Sequence, residues 1–179
     1  MYLNREEAIV FVIDIQEKLF NVIYQKEELL KNCLKLLKGC QILNLPILAT
    51  EQYPKGLGKT LPEIKNFLKE ENIFEKLSFS AYIPAVIEKL EKINRRSIIL
   101  IGIEAHVCIW QTCRDLLKNN FKVFIPQECV SSRSKIHLYN ALELMDKIGA
   151  YIVNVETILF DLLKTAEVPE FKAISQIIK

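Results

Sequence analysis

A cysteine just past a turn, after an apolar run, is the first residue in this chain suited to nucleophilic chemistry. Ser97 to Leu117 reads SIILIGIEAHVCIWQTCRDLL, with β-branched residues, a single glycine at Gly102, a short turn and then Cys108. The spacing predicts a strand that ends near Gly102 and an amphipathic helix that Cys108 opens. A thiol at a helix N-terminus meets unpaired backbone N–H groups and the positive end of the helix dipole. Both favour the thiolate, the reactive form of cysteine. Cysteine is also a common buried small hydrophobe, so this stretch alone leaves both roles open. Asp14 closes a second apolar run, AIVFVID, and so falls at a strand end, where open α/β sheets bind ligands. An aspartate there serves equally well as a helix cap or turn residue. Gln16, two residues on, and Gln52, in TEQYPKGLGK, lie within reach of the same end of the sheet. They are candidate substrate-binding residues, as are Leu19 and Phe79 for apolar walls, with core packing the alternative for Phe79. His106 is placed for a local hydrogen bond, and Arg133 in SSR for anchoring a loop or an interface.

The elements that must position these residues follow from periodicity. Strands are expected at Ala8–Asp14, Pro46–Thr50, Asn72–Lys76, from Ser97, at Lys122–Pro126 and at Tyr151–Val155. Helices are expected at Glu27–Leu43, Pro62–Glu70, Pro84–Ile93, from Cys108, at Lys135–Ile148 and at Thr157–Leu163, the last capped by Thr157. Gly149 fits as a C-cap, and Glu128–Arg133 reads as a polar loop. The tail from Glu170 to Lys179 is amphipathic and suited to packing on the body or on another subunit. Strand and helix alternate, which predicts an α/β fold of three layers, α/β/α. Its sheet has six mainly parallel strands with helices on both faces.

Composition narrows the function classes. The chain has 179 residues, 50% hydrophobic and 26% charged, as in one soluble globular domain spanning 1–179. Its formal net charge is +2, and its lysines alternate with glutamates, as in KEELLKNCLKLLK. That is a solvated helix surface, and Arg95-Arg96 is too short for a nucleic-acid patch, so no nucleic-acid partner is expected. No apolar run has membrane-spanning length and no signal-peptide layout opens the chain, so no membrane partner is expected. Five cysteines, an odd number without a C-x-x-C pair, read as reduced thiols in a cytoplasmic protein. His106 and His137 belong to no metal-ligand motif, so no metal and no organic cofactor are expected.

Three pieces carry a resemblance: VIDIQEKLF at Asp14, FEKLSFSAY at Lys76 and GIEAHVC at Cys108. In this order the chain resembles the isochorismatase-like cysteine hydrolases, and TEQYPKGLGKTLPEI, SSRSKIHLYNAL and GAYIVNVETILFDLL extend the likeness over nearly its whole length. Taken alone, Lys76 is one surface charge among many. The resemblance implies a catalytic triad of Asp14, Lys76 and Cys108, in which Lys76 favours the thiolate. It also implies a cis peptide between Ile103 and Glu104, with the backbone N–H groups of Glu104 and Cys108 forming an oxyanion hole. The implied reaction is hydrolysis of a small amide or related C–N bond through a thioester, in a homo-oligomer acting on a small molecule. The alternative is an idle binding or scaffold protein on the same fold. Nicotinamidases of this family carry a D-x-H metal motif where this chain has EQYPKGLGK, and isochorismatases proper lack the cysteine. Neither of those activities is therefore expected. Ala105 stands where related sequences often have a hydroxyl residue.

Overall fold

Alternation within the first strand creates both halves of the core. All six side chains of β1 (Ala8–Ile13) are buried. Ala8, Val10 and Val12 enter one apolar cluster, and Ile9, Phe11 and Ile13 enter the other. Side chains of a strand alternate between faces, so a run without polar residues must be covered on both. The computed structural model describes residues 3–178. Met1, Tyr2 and Lys179, at the ends of the expected domain and of the expected tail helix, lie outside the described residues.

The remaining strands are β2 (Ile47–Gln52), β3 (Ile73–Lys76), β4 (Ser97–Ile103), β5 (Lys122–Pro126), β6 (Val130–Ser131) and β7 (Tyr151–Val153). Their order is β3-β2-β1-β4-β5-β7, and β6 pairs with β4 beside that path. Every one of these pairings is parallel. On one face lie α1 (Lys26–Ile42), α5 (Val155–Leu163) and α6 (Phe171–Ile178). They contribute Cys33, Leu36, Leu37 and Cys40, then Ile158, Leu159 and Leu162, then Ile174. On the other face lie α2 (Pro84–Ile93), α3 (Trp110–Lys118) and α4 (Lys135–Lys147). Val86 and Leu90, Cys113 and Leu116, and Leu138, Leu142 and Met145 cover the sheet there. This is the three-layer α/β/α arrangement expected from the sequence.

The chain steps outward from β1 to β2 to β3, then returns to β4 on the other side of β1. The strand order therefore reverses between β1 and β4, and the crevice beyond their C-terminal ends is where such sheets hold ligands. Register brings the relevant residues together. Ile13 pairs with both Thr50 and Gly102, and Gln52 pairs with Lys76.

Four expectations differ from the structure. The sheet gains a seventh strand, Val130–Ser131, within the segment read as a polar loop. Two residues are too few for any periodicity. The helix expected over Pro62–Glu70 is a single turn, Pro62–Lys65, followed by three-residue spacing in Phe67 N–H to Ile64 and Leu68 N–H to Lys65. The helix expected from Thr157 starts at Val155. Its cap comes from afar, because the Glu128 carboxylate accepts from the Val155 N–H at 3.3 Å and the Asn154 side chain at 2.9 Å. Finally, Cys108 does not open α3. It sits in a π-helical turn, Ala105–Ile109, that precedes it.

The tail packs on the body, with Ile174 fully buried against the core. Gly149 ends α4 at φ 101°, as a C-cap glycine should. Among the described residues, no helix is long and apolar enough to cross a membrane.

Candidate active site

Asp14 leaves β1 at φ 52°, in the left-handed region that aspartate tolerates better than a β-branched residue. The departure aims its side chain across the strand ends. Its Oδ1 accepts from the Thr50 hydroxyl at 2.8 Å, and its Oδ2 pairs with the Lys76 ammonium at 2.7 Å. Both charged side chains are fully buried. A buried pair survives only when its remaining polar valences are also met. For Lys76 they are: Nζ also reaches Gln52 Oε1 at 2.7 Å and the carbonyls of Ser78 and Phe79 at 3.1 Å. The two carbonyls come from the turn directly after β3.

Cys108 stands over this pair from the β4 side. Its sulfur lies close enough to the Asp14 carboxylate and to the backbone N–H of Glu104 for both to act on its titration. The Ile103–Glu104 peptide is cis. Burial, first, and then the Asp14 charge push the thiol up to about 12, while Lys76 and the Glu104 N–H pull it down. The upward effects win, so the resting group is a thiol beside a carboxylate. This corrects the expectation of a thiolate at a helix N-terminus. The π turn displaces Cys108 from the first turn of α3, and the Asp14 charge acts on the sulfur.

Glu104 is held at its carbonyl and at its carboxylate. Its carbonyl accepts from Val107 and Ile109 N–H, and its carboxylate accepts from the Arg133 side chain and from the Arg133 N–H at 2.9 Å. Burial pushes the Glu104 carboxyl up, but these contacts with Arg133 outweigh it and hold the carboxyl below its ordinary value. His106 bonds Ser132 Oγ at 3.0 Å and stacks on His137. Burial lowers its pKa and keeps the ring neutral near pH 7.

The residues expected to touch substrate have varied surroundings. Gln16 is fully buried and spends both amide N–H groups on the carbonyls of Gln52 and Gly58, at 3.0 and 2.7 Å. Its oxygen accepts from the Gln52 N–H at 2.7 Å. It therefore ties down the loop after β2 and has no N–H left for a ligand. Glu51 assists by accepting from the Thr60 N–H and hydroxyl at 2.8 and 2.9 Å. The Gln52 side chain is taken up by Lys76 and by the Leu77 carbonyl, so it acts on the ion pair. Leu19 is half-buried against the core. Phe79 is 53% exposed, contrary to the core-packing alternative, and only its carbonyl meets Lys76. Thr50, which no sequence argument singled out, orients Asp14. Its only signal is a hydroxyl at the polar end of an apolar strand. A cavity of about 350 Å³ lined by Tyr53, Pro54, Lys55, Glu75, Lys76 and Leu77 opens at the end of β3, beside Lys76 but not against Cys108.

An isochorismatase domain is matched over residues 8–157, and the chain belongs to that family. It is 36% identical over 177 residues to a secreted isochorismatase effector, Isc1, of Phytophthora sojae, covering 96% of this chain and 84% of that protein. It is 37% identical to isochorismatase domain-containing protein 2 of Xenopus laevis, over 98% of this chain and 85% of that one. Among solved structures, the MAR1 ribonuclease of Caenorhabditis elegans superposes with a TM-score of 0.94 at 37% identity, covering 99% and 92% of the two chains.

Proposed function

We propose that this protein is a hydrolase that cleaves a small amide or related C–N bond through Cys108, without a metal or an organic cofactor. The observation that carries the reading is the buried Asp14–Lys76 pair set against the Cys108 thiol. A thiol with a raised pKa needs a base only when it attacks, and a carboxylate beside it can serve. As Sγ bonds to the carbonyl carbon, the thiol proton passes to Asp14. Charge then collects on the former carbonyl oxygen, and the N–H groups of Glu104 and Cys108 are the donors for it. Collapse breaks the C–N bond, Asp14 returns its proton to the leaving amine, and the acyl group stays on sulfur as a thioester. Water, deprotonated by Asp14, releases the acid and restores the thiol. Lys76 keeps the aspartate oriented and balances its charge throughout. Leu19 and Phe79 remain candidates for the substrate's apolar walls. The proposal includes a cytoplasmic homo-oligomer; the solvent-facing Ile136 and Tyr139 of α4, with Ile148 just after it, favour the oligomer.

The name of the 37%-identical ribonuclease favours a second reading, cleavage of RNA. Against it, Cys108 is only 5% exposed and the Lys76 side chain is fully buried, which suits a small acyl donor better than a polymer backbone. One screen separates the two. Small amides and ureides are assayed for ammonia release and a structured RNA for cleavage, with Cys108→Ala as the control. The expected result is ammonia from at least one small compound, lost in Cys108→Ala, and intact RNA. Salt-dependent RNA binding with Cys108-dependent cleavage would overturn the amidase reading.

A further inference from the structure

We infer that Arg133 is a positioning residue that sets the oxyanion donor of this site by clamping the side chain of Glu104. The inference rests on the amidase reading above. Glu104 carries the N–H that faces Cys108, and its carboxylate is almost fully buried. Arg133 grips that carboxylate through Nε at 3.0 Å, through Nη2 and through its own backbone N–H at 2.9 Å. A guanidinium fork with two donors on one carboxylate fixes orientation as well as distance. The Glu104 carbonyl is fixed independently by Val107 and Ile109. The Glu104 backbone is thus held from the carbonyl side by the π turn and from the side-chain side by Arg133.

Arg133 is itself anchored. Ser131 pairs with Ile103 in the sheet and donates its hydroxyl to the Tyr24 carbonyl at 2.7 Å. Ser132 accepts from the Tyr24 N–H at 2.9 Å and bonds His106 through its hydroxyl. The tripeptide Ser131–Ser132–Arg133 therefore links β4, the π turn and the segment after β1. The Arg133 side chain is 61% exposed, so it adds little to the core. A clamp of this kind matters by aiming a donor, and misaiming a reacting group by about 1 Å costs about a hundredfold in rate.

The test uses p-nitrophenyl acetate as the acyl donor and the full chain as the enzyme. Sγ–acyl bond formation breaks the ester C–O bond and releases nitrophenolate as a burst, while the thiol proton passes to Asp14. At saturating ester, Arg133→Met is expected to slow the burst rate about tenfold to a hundredfold, with the half-saturating ester concentration unchanged. Arg133→Lys, which keeps the charge but loses the fork, should recover part of the rate. Alkylation of Cys108 by iodoacetamide develops no oxyanion and feels the Glu104 N–H only through the smallest of the effects on the thiol, so it should change far less than the burst in both variants. If Arg133→Met does not fold, Arg133→Lys and the charge-relieved Glu104→Gln/Arg133→Met pair are measured instead. The lysine variant should then keep more of the wild-type rate than the pair. A burst unchanged in the variants overturns the clamp and leaves the amidase reading intact. Alkylation falling in step with the burst overturns it too, since Arg133 would then act on the thiol itself. A wild-type protein with no Cys108-dependent burst overturns both.

Discussion

Asp14→Asn and Lys76→Met are expected to abolish turnover while moving the Cys108 thiol in opposite directions. Asp14 raises the thiol's pKa and Lys76 lowers it. Removing the carboxylate leaves the ammonium beside the sulfur, so the thiolate forms at lower pH. Removing the ammonium leaves the carboxylate, and the thiolate forms only at still higher pH. The measurement is the pH dependence of iodoacetamide labelling, with the Cys108 peptide followed by mass spectrometry. Burial also pushes Cys40 and Cys113 up to about 12, so following the peptide matters. Both variants should also unfold more easily, because each leaves one charge of a fully buried pair uncompensated. Breaking such a pair costs about 3–5 kcal/mol. Lys76→Met should sit at the upper end, since Asp14 keeps only the Thr50 hydroxyl and the Cys108 thiol. In Asp14→Asn, Lys76 retains Gln52 and two carbonyls. The double variant should be more stable than Lys76→Met in urea, since it buries no lone charge. Profiles that shift the same way in both single variants would contradict this electrostatic account.

The second large effect is expected at Gly102. It adopts φ 130°, a conformation that L side chains rarely take, within the central strand β4. An added Cβ would overlap the backbone of Ile13 on the adjacent β1, where no flexible side chain can yield. Gly102 also pairs with Val130 of β6, so the strand is hemmed in from both edges. Gly102→Ala is therefore expected to cost more than about 4 kcal/mol, the range reserved for a few named mechanisms of severe damage. Any residual folded protein should have its β1 and β4 ends forced apart, and with them Asp14 and Cys108. Gly149→Ala supplies the contrast. Its φ is 101°, but nothing lies within 4 Å of the added Cβ. It should cost only about 1 kcal/mol, the conformational penalty alone. Circular dichroism with urea titration distinguishes the two, and equal losses would show that packing against Ile13 is unimportant.

The sequence discloses what depends on periodicity and leaves hidden what depends on distant partners. The two-faced burial of β1, the strand–turn–helix at Cys108 and the strand-end position of Asp14 all follow from runs of apolar residues that stop at a polar one. Lys76 shows no such sign. Its burial depends on Asp14, on Gln52 and on two carbonyls of the next turn, none of which marks the lysine in the sequence. Gln16 and Gln52 have the side chains of ligand-binding residues, yet their amides are used within the protein, on the loop after β2, on the Lys76 ammonium and on the Leu77 carbonyl. The start of α5 at Val155, two residues before Thr157, has a related cause. Thr157 has the chemistry of an N-cap, but a glutamate 27 residues before Val155 meets the exposed N–H instead. The π turn that shifts Cys108 out of α3 follows the Glu104 carbonyl, which accepts two N–H groups at once. That geometry has no counterpart in residue type.

The central claim is that Cys108 carries the acyl group. It is tested most directly by intact-mass spectrometry after rapid acid quench of the protein with p-nitrophenyl acetate, followed by peptide mapping. The account predicts one acetyl group per chain, confined to the peptide bearing Cys108 and absent in Cys108→Ala. An unmodified Cys108, or an acetyl group that persists at another residue in Cys108→Ala at the same rate, would contradict it.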